Sequence, residues 1–174
     1  MMKRNITALV VILIILTTVV LISNHKERGT FEELVLNKYL NKAQAKEFNT
    51  IKIEVFSHNQ NDTSRRSKDV DKIDKFLSKF NKLKLIEYNK ELPKVDTDHY
   101  FISLMNDNTY ECIHIFIESD RHIRVITSTL ITTENKRNKI IETKYVKTHK
   151  IYKIINGDID YSFLNDLCNS IRVK

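Results

Sequence analysis

Six histidines and two cysteines are the residues here whose chemistry needs company: His25, His58, His99, His114, His122, His149, Cys112 and Cys168. Imidazole and thiolate bind a soft metal ion when two or more of their heads converge. The helical spacings that guarantee convergence, His-x3-His and HExxH, do not occur. Strand phase nevertheless puts His99, Cys112, His114 and His122 on one sheet face, with Phe101 and Phe116 among them. A soft metal site there is the sharper reading. A partly covered face carrying polar residues is the plainer one, and no metal ligand is assigned. Two cysteines are too few for a disulfide framework or a zinc centre of their own; they either bridge or stay as buried thiols.

Lys136, Arg137, Lys139, Lys144, Lys147, Lys150 and Lys153 stand against Glu142 alone between residues 136 and 153, with Tyr145 and Tyr152 interleaved. Clustered cations neutralise phosphates and aromatics stack bases, so these seven residues are the candidate contacts for an anionic polymer, nucleic acid or membrane surface. They fall on both strand phases, as the lysines of solvated edge strands do. Formal net charge is +7; Lys3 and Arg4 are the only charges before residue 24, so +5 belongs to the remainder. That excess permits attraction to anionic partners without requiring it.

Other chemistry finds few residues. Ser64-Arg65-Arg66-Ser67 suits an exposed loop near a helix start, and Asp69, Asp71 and Asp74 fall on the watered side of that helix. No G-x-S-x-G elbow, P-loop or paired zinc cysteines are present. Gly29, Gly157 and Pro93 are the whole glycine and proline complement, which disfavours a glycine-rich phosphate cradle. No catalytic residue and no cofactor is assigned, and a non-enzymatic protein is expected.

These side chains need elements to position them. With 41% hydrophobic and 29% charged residues, the chain can bury one core. Ile6 to Ser23 is uncharged, and as a helix it spans about 27 Å, close to a hydrocarbon core. It reads as an uncleaved transmembrane anchor behind a basic tail, 1–5; Ser23 offers the one small residue for a competing signal-peptidase site. Lys3 and Arg4 favour an inside N-terminus and a domain outside the cell membrane, although Lys26 and Arg28 follow the span.

Thr30-Phe31-Glu32-Glu33 is a capping box that predicts a juxtamembrane helix to about Phe48, within a segment 24–49 outside the domain 50–174. Ile51–Val55 alternates as a strand, and His58–Ser67 is a loop or hairpin tip. Val70, Ile73, Phe76, Leu77 and Phe80 mark a helix from Asp69; Leu83–Ile86 is a short strand. Strands follow over 98–105, 109–118 and 122–128. A turn at Asp107-Asn108 pairs Ile102 with Ile113 and Tyr100 with Ile115; a three-residue turn through Arg121 pairs Ile117 with Ile123 and Ile115 with Val125. A polar insertion, 132–139, precedes one or two strands over Ile140–Val146 and Ile151–Ile155. Asp158 or Asp160 then caps a helix burying Leu164, Leu167, Cys168 and Ile171.

The expected fold is α+β: an antiparallel sheet of about five or six strands with helices on one face, preceded by a single transmembrane helix. Its order is similar to the TATA-binding-protein-like or helix-grip arrangement, which carries no function. Ile51–Val55, Tyr100–Leu104 and the Lys68-Asp69-Val70 helix start also resemble small membrane-anchored extracytoplasmic domains of Gram-positive bacteria. The resemblance covers most of residues 50–171 and transfers no site residue. The expected function is display of a protein- or ligand-interaction domain, working through its sheet face or the His58–Ser67 loop.

Overall fold

The computed structural model describes residues 26–37, 48–56, 62–93, 99–135 and 140–171. Its strands are β1 (Arg28–Thr30), β2 (Thr50–Phe56), β3 (Thr63–Ser67), β4 (Lys84–Glu87), β5 (His99–Asn106), β6 (Glu111–Ser119), β7 (His122–Asn135) and β8 (Ile140–Ile154). Among the described residues two α-helices, α1 (Val70–Phe80) and α2 (Tyr161–Ser170), accompany them. The eight strands make one antiparallel sheet in the order β1-β4-β8-β7-β6-β5-β2-β3. Strands β5 to β8 form a meander; β2 and β3 extend one edge, and α1 carries the chain across to β4 near the other.

One sheet face is apolar because the strands alternate. Ile51, Ile53, Ile102, Leu104, Ile115, Ile117, Ile123 and Ile154 are fully or almost fully buried there. Both helices press their apolar stripes onto it: Ile73, Phe76 and Phe80 from α1, Leu164, Leu167 and Cys168 from α2. Each helix starts where a carboxylate takes an orphan N–H. Asp69 accepts from Asp71 N at 3.1 Å, and Asp160 accepts from Phe163 N at 3.0 Å. Beyond Val125 this face turns polar, with Thr127 bonded to Thr148 through their hydroxyls.

This architecture overturns the anchored α+β expectation. Among the described residues, eight strands predominate and the α-helices are small. Among the described residues, no helix is long and apolar enough to cross a membrane. The expected anchor at 6–23 and the tail 1–5 lie outside the described residues. The cell-membrane placement, the inside–outside orientation and the integral-membrane partnership rested on that helix, and they find no support.

The extra strands come from sequence without apolar alternation. Arg28–Thr30 and Thr63–Ser67 are short polar edges, held by their neighbours' ladders rather than by a buried face. The capping box forms, with Thr30 N–H donating to Glu33 Oε2 at 2.8 Å and Glu33 N–H to Thr30 Oγ1 at 3.2 Å. Among the described residues it opens a five-residue π-helical turn, Glu32–Leu36. Phe31 and Val35 are wholly buried in the core, so this segment belongs to the sheet domain. Residues 38–47 of the expected juxtamembrane helix lie outside the described residues.

Two hairpins test the turn arguments. Across β6 and β7, Ile117 meets Ile123 and Ile115 meets Val125 as expected, with the turn made by Asp120-Arg121 and an irregularity between Ile117 and Ser119. Across β5 and β6 the register is displaced by two: Tyr100 meets Ile117, Ile102 meets Ile115 and Leu104 meets Ile113. Asp107 is drawn off to the edge strand, accepting from Arg66 (2.9 and 3.1 Å), Lys68 (2.8 Å) and Thr50 (3.0 Å). The turn therefore runs through four residues, closing with Tyr110 in the left-handed region at φ 58°.

The polar insertion and its flanking strands are also recast. Strand β7 continues to Asn135 and β8 is continuous from Ile140. The pairing of β6 with β7 stops at Ser128, and that of β4 with β8 covers residues 152–154. Residues 129–135 and 140–146 thus pair with each other as a two-stranded arm beyond the sheet.

Candidate functional site

The second sheet face carries no helix among the described residues. Strand alternation places three rows across it. Glu54, Phe101, Phe116, Arg124 and Ile151 make one; Lys52, Ser103, His114, Ile126 and His149 the next; Met105, Cys112, Ser128 and Lys147 the third. The centre of this face is aromatic. Phe101 lies 4.5 Å from Phe116 and stacks on the His114 ring at 5.3 Å, centroid to centroid. Arg124 sits over Phe116 at 5.9 Å while pairing with Glu118 at 2.6 Å, and Lys52 pairs with Glu54 at 2.9 Å. These side chains are mostly half-buried.

At the centre runs a hydrogen-bonded chain: Cys112 Sγ lies 3.2 Å from His114 Nε2, and His114 Nδ1 lies 2.8 Å from Ser103 Oγ. Burial pushes the Cys112 thiol up from its usual pKa, against the pull of Lys147 and of a backbone hydrogen bond from Ser128. Burial also pushes His114 down; Lys147 and Lys52 add to this and Glu54 opposes it. Both groups are therefore neutral near pH 7. A neutral imidazole carries one N–H: either the thiol donates to Nε2 while Nδ1–H donates to the serine oxygen, or the serine hydroxyl donates to Nδ1 while Nε2–H faces the sulfur. An activated thiolate–imidazolium pair is the opposite state, and this environment disfavours it.

The chain matches no family model, no curated protein and no solved structure. The Gram-positive resemblance gains nothing from these comparisons, and function must be argued from this face.

Of the four face residues singled out by strand phase, Cys112 and His114 come together. His122 stands four positions along β7 from the residue opposite His114, about 13 Å at strand rise. It is buried beside Tyr88 at 4.5 Å and meets Ser119 Oγ at 2.9 Å. His99 is exposed at the start of β5, opposite Phe56. His25 and His58 lie outside the described residues. Among the described residues, no three His, Cys, Asp or Glu side chains gather as metal ligands. Both cysteines are free, with Cys168 buried on the helix-covered side of the sheet. Arg66 of the Ser64–Ser67 run is taken by Asp107.

The described members of the seven cations do not share one face. Lys136, Arg137 and Lys139 lie outside the described residues, and Lys144 occupies a register position opposite Ile131 on the arm. Lys147 is exposed and shares the open face with Lys153. Lys150 belongs to the other phase, where it bonds Glu27 and Glu87 at 3.1 Å each. Those two carboxylates already neutralise it. The signal that sequence reasoning missed was Ser103, whose hydroxyl orients the His114 ring; its place opposite His114 follows from the two-residue register change.

The histidines make stability pH-dependent. His114 is depressed by burial first, and His122 by burial and then Lys153. A depressed folded-state pKa means that the unfolded chain takes up a proton the folded chain refuses. The associated stability is complete above about pH 6.5, the ordinary histidine value, and is lost as pH falls toward the folded-state values. Urea midpoints should therefore drop between pH 7.5 and pH 5.5, and His114→Gln should shrink the drop. A midpoint that holds or rises over that interval contradicts this burial. Asp107 and Asp160, depressed chiefly by hydrogen bonds from Lys68 and Lys79, act in a separate, more acidic window.

Proposed function

We propose that this is a non-enzymatic interaction domain that docks a protein partner on its open sheet face. The observation carrying this is the half-buried aromatic cluster of Phe101, Phe116 and His114, left without a covering helix among the described residues and rimmed by the Arg124–Glu118 and Lys52–Glu54 pairs. An apolar, aromatic centre with a charged rim is the composition of protein interfaces. The neutral Cys112–His114 pair supports binding over catalysis, since nucleophilic chemistry needs the thiolate.

A photocrosslinking phenylalanine analogue at position 116 of the full chain, expressed in its own cells, should give one adduct of defined mass. The same analogue at Lys75, exposed on α1, should not. Against the partner so trapped, Phe116→Ala should weaken binding by at least about thirty-fold, the loss of a central aromatic contact of about 2 kcal/mol. Equal crosslinking from both positions, or an alanine variant that binds like the parent, defeats the reading.

A further inference from the structure

We propose that Cys112, His114 and Met105 form a site for one cuprous ion at the sulfur-bearing end of the open face. This goes beyond the docking reading and does not rest on it.

Two donors are already side by side. The 3.2 Å between Cys112 Sγ and His114 Nε2 is about 0.5 Å short of the roughly 3.7 Å that two such ligands adopt at about 120° on one metal with bonds of about 2.3 and 2.0 Å, so a small side-chain shift admits the ion. The third donor comes from the neighbouring strand. Met105 is directly opposite Cys112 in the β5–β6 ladder and half-buried on the same face. Cross-strand partners hold their Cβ atoms about 5 Å apart, and a methionine has three rotatable bonds with which to bring its sulfur over a neighbour.

The imidazole is aimed for this role. Its Nδ1 lies 2.8 Å from Ser103 Oγ, which accepts the Nδ1–H when Nε2 gives its lone pair to a metal, and Ser103 is itself 2% exposed. Phe101 stacks on the ring and fixes its plane. Nε2 is thereby turned to the thiol, the arrangement in which a metal-binding histidine gives its other ring N–H to a fixed acceptor.

Ligand type and charge select the ion. Thiolate, thioether and imidazole together are soft, which suits copper(I) and disfavours magnesium or calcium. On binding, the S–H bond breaks, the proton leaves to water and a Cu–S bond forms, with no change in oxidation state. Cuprous ion plus thiolate is neutral. A divalent ion would leave a net positive charge on a half-buried site beside Lys147, whose charge already acts on both Cys112 and His114.

The test is competition for copper(I) held by bicinchoninate, using the full chain, reduced and free of oxygen. The parent should withdraw one equivalent. Cys112→Ser and His114→Gln should each weaken retention by about 100-fold or more, and Met105→Leu by about tenfold. Cys168→Ser, on the helix-covered side of the sheet, should leave it unchanged. Met105→Leu keeps the apolar volume, so its loss of copper is not loss of fold, and circular dichroism checks each variant. X-ray absorption of the loaded parent should show two sulfurs and one nitrogen around copper. Failure to withdraw copper, equal retention by Cys112→Ser, or a copper environment without sulfur overturns the proposal.

Discussion

Phe76→Ala should lower the unfolding free energy by about 3–5 kcal/mol, the range for emptying a buried phenylalanine site. Phe76 is wholly buried and stacks on Phe80 with 4.1 Å between centroids. Phe80 in turn meets Phe31 edge-on at 5.6 Å. Three parts of the chain converge in this aromatic run: α1, the segment just after β1, and the isoleucine face of the sheet. Alanine leaves a hole bordered by a sheet and a helix end, neither of which can move far to fill it. Against a total of about 5–15 kcal/mol for a domain, such a loss is a large share. A urea titration reads it as a lower midpoint at unchanged slope. A change under about 1 kcal/mol would mean that α1 is not seated on the sheet as described.

The second large effect belongs to Lys150. Its ammonium lies 3.1 Å from both Glu27 and Glu87, and its side chain is 26% exposed. Burial works against its charge, but the hydrogen bonds to Glu27 and Glu87 outweigh this and hold its pKa above the ordinary lysine value. Lys150→Ala removes the ammonium that joins Glu27 to Glu87. Breaking a buried pair costs about 3–5 kcal/mol and an exposed one under about 1 kcal/mol, so about 1–3 kcal/mol is expected here. Glu87→Gln keeps the bond to Glu27 and should cost less. If the two variants are equally stable, the lysine is not holding the N-terminal segment to β8.

The faces of the sheet were legible in the sequence even where the pairing was not. Reading a two-residue turn at Asp107-Asn108 misplaced β6 by two positions, and a displacement of two leaves every side chain on its own face. Cys112 and His114 therefore fell on the correct side for the wrong pairing. Ser103 did not emerge, because its contact depends on the pairing itself. The turn could not be read locally, since Arg66 and Lys68, some forty residues earlier, hold Asp107. Edge strands β1 and β3 were illegible for a related reason: Arg28–Thr30 and Thr63–Ser67 show no apolar period, and hydrogen bonds to neighbouring strands define them. The capping box at Thr30 shows the converse, a local signal that forms as read and opens a π-helical turn.

The long β7–β8 arm has a consequence for how the molecule opens. Inside the sheet, each backbone bond of β7 is shielded by strands on both sides and by the core beneath. Past Ser128 the ladder has one partner, and each arm strand has an outer row of amides that no described strand covers. Separating such a ribbon breaks no pairing with another described strand, so amide deuteration should rise sharply from Val125 toward Asn135 while the meander keeps its protons. The result is one continuous strand that behaves as two cooperative units, joined where the apolar face gives way to Thr127 and Thr148.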